Sequence, residues 1–284
     1  FTKFKQLNQG FHAPFREFDY EIIRDGSFYS IELPVIKPLV SIIVRTYKGR
    51  DVLLKQCLLS IINQTYSNIE IIVVEDGGET MRPITKLISS ITNIKYYNQE
   101  KIGRSATGNF GLKKSKGDYC LFLDDDDLIF ADHIEILARS LQDNPEASAS
   151  YSLAYEVPTH MGTDKEYYYE GDFRTLGLFY QPFDYEVLTD HNYFPIQTVL
   201  FKKELFLQRG GFNEDLTYLE DWNLWLKYAY ENTFIYNEKT TSIYRTPINN
   251  ENKNKRDSEL HEAYNIAKDS AFASIALYST VNQN

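Results

Sequence analysis

The chain has 284 residues, 43% hydrophobic and 25% charged, with a formal net charge of −10. That hydrophobic content supports a packed core and excludes a disordered chain, and the acidic balance excludes nucleic acid as the main partner, since a phosphate backbone demands a basic face. Cys57 and Cys120 both lie inside apolar stretches, which fits buried thiols in a reducing compartment better than a disulfide framework.

Residues 1–38 are rich in aromatics and charges, lack clean periodicity and end at Pro34 and Pro38; they read as a lead-in segment. From Leu39 the pattern turns regular. It predicts strand 39–46, helix 51–65, strand 69–75, helix 81–91, strand 94–98, helix 104–115, strand 118–123 and helix 132–143. Alternating strands and helices imply an α/β fold with a mainly parallel sheet flanked by helices. The run Ile69 to Val74 is mostly apolar, as a sheet covered on both faces requires.

The texture changes across 129–245. Strands are expected at Ala147 to Val157, Lys165 to Tyr169, Pro195 to Phe201, 233–237 and 241–245, with helices at 203–209 and 219–231. The polar run Asn249 to Asp257 reads as a mobile loop of the kind that serves as a lid. Beyond it, Leu260, Tyr264, Ala267, Ala271, Ile275 and Tyr278 predict an amphipathic helix, packed on the domain or against a partner such as a second copy. No apolar run approaches a membrane span and Phe1 opens no leader segment, so the expected location is cytoplasmic, with contact at the inner face of the membrane.

Chemistry concentrates in Asp124 to Asp127, four aspartates directly after the apolar strand Tyr119 to Leu123. Like charges about 5 Å apart cost on the order of 3 kcal/mol per pair at an effective dielectric near 20. A bound cation is the usual compensation, although this segment alone also fits a solvated acidic turn. Mg²⁺ and Mn²⁺ take carboxylate oxygens and often keep substrate phosphate oxygens as further ligands, so a nucleotide diphosphate is the natural partner. In open parallel sheets, ligands bind at the C-terminal ends of the strands. Those ends carry Arg45, Thr46, Tyr47 and Arg50, then Glu75 and Asp76, then Arg104. Asp76 could accept from a base or ribose, Tyr47 could cover a base, and Arg104 at a helix start could meet phosphate. Gly103 to Gly108 has phosphate-loop spacing but lacks the required Lys, which disfavours a Walker-type nucleotidase. His133, His160, His191 and His261 show no metal-ligand spacing. The 22 tyrosines would suit packing on sugar rings, with Tyr167 to Tyr169, Phe179, Tyr180 and Trp222 as candidates, though most such rings belong in a core.

Four segments together resemble glycosyltransferase family 2: Val40-Ser-Ile-Ile-Val-Arg-Thr-Tyr47, Ser60-Ile-Ile-Asn-Gln-Thr-Tyr66, Ile71-Ile-Val-Val-Glu-Asp-Gly-Gly78 and Leu121-Phe-Leu-Asp-Asp-Asp-Asp-Leu128. Gly210-Gly-Phe-Asn-Glu214 and Leu219-Glu-Asp-Trp-Asn-Leu-Trp225 are similar to its downstream motifs. The resemblance covers 39–245 and implies a GT-A fold with a nucleotide-binding half, 39–128, merged with an acceptor half, 129–245. It implies a metal-dependent inverting transferase using a UDP-, GDP- or dTDP-sugar and a glycan or lipid-linked glycan acceptor, in surface polysaccharide biosynthesis. Asp126, with Asp124, would hold Mn²⁺ or Mg²⁺, and Asp125 or Asp124 would contact ribose or water. Thr46, Tyr47, Asp76 and Arg104 match nucleotide contacts, and Arg45 stands where a proline is common. Asp221 would be the catalytic base, and Glu220, Trp222, Asn213 and Glu214 would serve the acceptor. The late His often found near the metal is replaced by Tyr244-Arg245. Without the resemblance, the acidic cluster also admits a nucleotidyltransferase, a metal-dependent phosphohydrolase, or an inactive domain that binds carbohydrate or scaffolds a partner.

Overall fold

The computed structural model describes residues 37–89, 92–161, 168–247 and 250–281; the lead-in expected over 1–38 lies almost wholly outside them. The first half alternates as the pattern requires: β1 (Val40–Thr46), α1 (Asp51–Ile62), β2 (Ile69–Asp76), α2 (Arg82–Ile88), β3 (Ile94–Gln99), α3 (Arg104–Lys114) and β4 (Tyr119–Asp124). The second half contains β5 (Leu128–Ile129), α4 (His133–Asp143), β6 (Ala149–Met161), β7 (Tyr168–Glu170), α5 (Tyr185–Asp190), β8 (Val199–Lys202), α6 (Glu204–Arg209), α7 (Glu220–Ala229), β9 (Phe234–Pro247) and α8 (Asn250–Val281).

Among the described residues the strands form one sheet in the order β3-β2-β1-β4-β8-β6-β9-β5, with β7 on β6. β3, β2, β1 and β4 run parallel, β8 is antiparallel to both β4 and β6, and β6 pairs in parallel with β9. The pleat sorts side chains onto two cores. Val40, Ile42 and Val44 of β1 pack beneath Leu54 and Leu58 of α1 and Leu137 of α4. Ile43 and Phe122 face the other way, into a cluster with Leu112 of α3, Trp222 and Trp225 of α7, and Ala267 and Ala271 of α8. α3 lies tight on the sheet because Gly111 has no side chain; a Cβ there would stand 2.3 Å from the Ile43 Cγ2.

Two expectations are corrected, and two short elements are added. The two strands read at 233–237 and 241–245 are one strand, β9, whose register against β6 shifts around Leu153. The polar run read as a loop is helical from Asn250 onward, forming the first turns of α8. α5 and the two-residue β5 were not foreseen. α5 is marked by Asp184, whose carboxylate caps the Val187 N–H at 3.1 Å.

Candidate active site

β1 and β4 are paired in parallel with Arg45 opposite Asp124, so the motif arginine and the first aspartate meet where their strands end. The Arg45 Nε and Nη2 donate to the two oxygens of Asp124 at 2.7 and 2.8 Å, a bidentate pair with a guanidinium only 4% exposed. The Arg45 Nη1 reaches the Glu220 Oε1 at 3.3 Å, and the Arg104 Nε reaches the same oxygen at 3.1 Å. Thr46 donates to the Asp125 Oδ2 at 2.6 Å, and Arg50 donates to the Asp125 Oδ1 and pairs with the Asp126 Oδ2. Arg245 donates its backbone N–H to the Asp127 Oδ1 at 3.2 Å, its guanidinium to Glu170 and to the Asp126 carbonyl.

Seven carboxyls (Asp124 to Asp127, Glu170, Glu220 and Asp221) thus share this edge with four guanidiniums (Arg45, Arg50, Arg104 and Arg245), a formal surplus of three negative charges. Burial and the surplus act together on the protons. Burial, then repulsion from Asp126, pushes Asp125 up to about 7 against the pull of Arg50 and Thr46. Burial, then repulsion from Asp126 and Asp124, holds Asp127 well above the ordinary range against the pull of Arg245. Asp124 goes the other way: burial opposes its charge, but Arg45, Arg104 and Arg50 outweigh it and hold the carboxyl low.

The edge opens into a cleft of about 790 Å³ lined by Arg45, Arg104, Asp124, Asp126, Glu220 and Asp221 among others. α7 brings the last two in. Leu219, the residue before its first turn, sits in the left-handed region at φ 58°, which turns the chain sharply into Glu220 and Asp221. Burial raises both carboxyls above their usual range, although Arg104 and Arg45 oppose it for each. The Asp221 Oδ1 accepts the Trp222 N–H at 2.8 Å and its Oδ2 accepts the Asn192 Nδ2 at 3.0 Å. The far wall comes from α8, where Glu259 accepts from the Tyr218 hydroxyl at 2.6 Å and the Tyr264 ring stacks on Trp222 at 4.8 Å.

The predicted residues divide by place. Tyr47 is half exposed beneath the Arg50 guanidinium, 5.1 Å from its ring centre. Asp76 accepts from the backbone N–H groups of Ile102 and Gly103, which fixes the turn into α3. Glu75 reaches the same edge but is fully buried, and its two oxygens take the Thr80 N–H and hydroxyl, the Met81 N–H and the Tyr96 hydroxyl. It therefore anchors the start of α2, with no oxygen left for a nucleotide. Asn213 and Glu214 do not line the cleft: Asn213 accepts the Asp215 N–H and Glu214 accepts from Asn109, so both brace a turn. Trp222 lines the cleft yet is 1% exposed, its indole N–H bound to the Leu188 carbonyl, so it packs into the core and offers little surface to an acceptor. The side chains of Tyr167 to Tyr169 lie outside the described residues. Sequence reasoning missed Asn192 and Glu170, and it noted Arg245 only as standing in place of an expected His, without its bonds to Glu170 and to the aspartate cluster.

Among the described residues no three His, Cys, Asp or Glu side chains converge as a metal cage. Both Asp124 oxygens are held by Arg45, whereas Asp126 is 33% exposed and bonds Arg50 through Oδ2. That arrangement fits an ion held by one protein carboxylate with diphosphate and water completing its shell, the habit of Mg²⁺ and its kin.

The Glycosyl transferase family 2 profile matches residues 41–203. Uncharacterized glycosyltransferase RT0329 of Rickettsia typhi is 32% identical over 198 residues, covering 67% of this chain and 58% of its own length. An uncharacterized glycosyltransferase of Haemophilus influenzae is 34% identical over 170 residues, covering 59% of this chain and 63% of its own. The chain therefore spans less than two thirds of either relative's length. Among solved structures, S. aureus TarS 1–349 superposes with a TM-score of 0.62 at 17% identity, covering 84% of this chain and 71% of that one. The same TarS fragment is known in complex with UDP and with UDP-GlcNAc. With more than half its length matched by the family profile and its sheet arranged as in TarS, this chain belongs to glycosyl transferase family 2 and has the GT-A fold.

Proposed function

We propose that the chain transfers a sugar from a nucleotide-activated donor to a hydroxyl of a glycan or lipid-linked glycan, inverting the anomeric carbon with the aid of Mn²⁺ or Mg²⁺. The observation that carries this reading is a single cleft with an acidic strand edge on one side and a buried carboxylate, Asp221, on another. The complexes of TarS with UDP and UDP-GlcNAc support a nucleotide-sugar donor here. In this reading Asp126 holds the ion, and Asp124, locked to Arg45, fixes the end of β4 beside it. When bound, the ion supplies charge stabilisation to the departing diphosphate. Arg104, which lines the cleft at the start of α3, adds positive charge on the phosphate side, and the half-exposed Tyr47 ring offers a face to the base. Asp221 removes the proton of the attacking hydroxyl, a task suited to a carboxyl raised above its ordinary range by burial.

The proposed setting is the cytoplasm, at the inner membrane face where the acceptor is lipid-linked, and the product belongs to surface polysaccharide. Cys57 and Cys120 are buried free thiols, in keeping with a reducing compartment, and no described helix is long and apolar enough to cross a membrane.

Calorimetric titration of UDP, GDP and dTDP with and without Mn²⁺ tests the donor side. One diphosphate is expected to bind in a Mn²⁺-dependent manner, and Asp126→Ala is expected to abolish that dependence. Unchanged affinity in the variant removes Asp126 as the ligand, and no binding by any nucleotide favours an inactive scaffold.

A further inference from the structure

We propose that Asn192 is the positioning residue for Asp221, its side-chain amide orienting the carboxylate that accepts the proton of the attacking hydroxyl. This rests on the reading of Asp221 as the base.

The amide has little freedom. Its Oδ1 accepts the Phe194 N–H at 3.3 Å, which directs the Nδ2 to the Asp221 Oδ2 at 3.0 Å. The segment carrying Asn192 is pinned on both sides: the Trp222 Nε1 binds the Leu188 carbonyl at 2.7 Å, and the Tyr264 hydroxyl binds the Asp190 carbonyl at 2.6 Å. Tyr193 is 1% exposed and bonded to Asp184 at 3.0 Å, so the following residue is anchored as well. Elements α5, α7 and α8 thereby converge on one donor, and α7 and α8 lie beyond the stretch matched by the family profile.

The chemistry needs such a donor. The Trp222 N–H occupies Oδ1 and the Asn192 amide occupies Oδ2, so each oxygen keeps a lone pair and the carboxylate plane is set. A wandering carboxylate would lose the alignment that makes proton removal concerted with attack. The charged and titratable groups that share the cleft with Asp221 include Arg104 of α3, Arg45 of β1, Asp124 of β4, the adjacent Glu220, His191 next to Asn192, Arg245 of β9, and Arg256, Glu259 and His261 of α8. Arg104 and Arg45 favour the ionised form, Asp124 and burial oppose it, and a neutral amide adds support for the anion without further charge.

The test uses the full chain labelled with carboxyl-¹³C aspartate, the Asp221 signal being assigned by its loss in Asp221→Asn. Asn192→Ala is expected to raise the Asp221 titration midpoint by about one pH unit, and the isosteric Asn192→Asp by more. In parallel, a panel of UDP-, GDP- and dTDP-hexoses is followed for release of nucleoside diphosphate by hydrolysis. Both variants are expected to lower kcat about tenfold with the donor KM unchanged. A midpoint that stays put in both variants overturns the proposal. Full hydrolysis by Asp221→Asn overturns the base reading instead, and the two failures are told apart by which variant shows them.

Discussion

The two halves of this sheet solve the same packing problem in opposite ways. The nucleotide half is centred on β1 and β2, β-branched strands buried on both faces, beside the equally buried β4, with a helix drawn close by the missing side chain of Gly111. The acceptor half fills its space with rings: Phe194, Phe201 and Tyr228 meet Trp225 at centroid separations of 6.0 to 6.2 Å. It also buries a polar seam, where Thr241 meets both the His133 Nδ1 and the Ser152 hydroxyl at 2.6 Å beside the β6–β9 register shift. A regular half gives fixed strand ends for phosphate and metal chemistry. An irregular half supplies the turns, such as 190–196, from which an acceptor site is shaped.

The contrast can be broken most forcefully at Trp225, which is fully buried. Trp225→Ala should destabilise the protein by about 3–5 kcal/mol in urea unfolding, since the ring cage cannot collapse around the hole. A cost under about 1 kcal/mol would mean that the acceptor half repacks freely. The seam gives the next effect, through pH. Burial depresses His133 to about 3, so the folded protein stays uncharged there while the unfolded chain protonates below about 6.5. The unfolded state then binds more protons, and stability should fall as pH drops, by about 1.4 kcal/mol per unit between those limits. Denaturant melts at stepped pH should show this slope in the parent and lose it in His133→Gln. The smallest effect belongs to the nucleotide half. Gly111→Ala should cost about 1–3 kcal/mol by forcing α3 away from Ile43, and a neutral result would show that the two halves differ less than their packing suggests.

The same division governs what could be read in advance. β1, β2 and β4 were legible within a residue or two because apolar runs bounded by Gly and polar residues have few other uses. β9 was split in two because Asn237-Glu-Lys looks like a turn, whereas the strand absorbs those residues in its register shift. α8 begins in a polar run without apolar spacing, so its start carried no periodic signal. In the site, the aspartate cluster was visible as a motif. Its pairing with Arg45, 79 residues away in sequence, was not, nor was the turning of Glu75 toward α2, because both depend on register and burial that composition does not encode. Asn192 lies on a turn with no motif at all.

Leu219 gives the architecture one more consequence. A leucine backbone held at φ 58° is disfavoured, and glycine at that place would relax it. The leucine side chain offsets that strain, since it packs against the ring-rich core and lines the cleft, so glycine would exchange an easier backbone for lost contacts immediately ahead of Glu220 and Asp221.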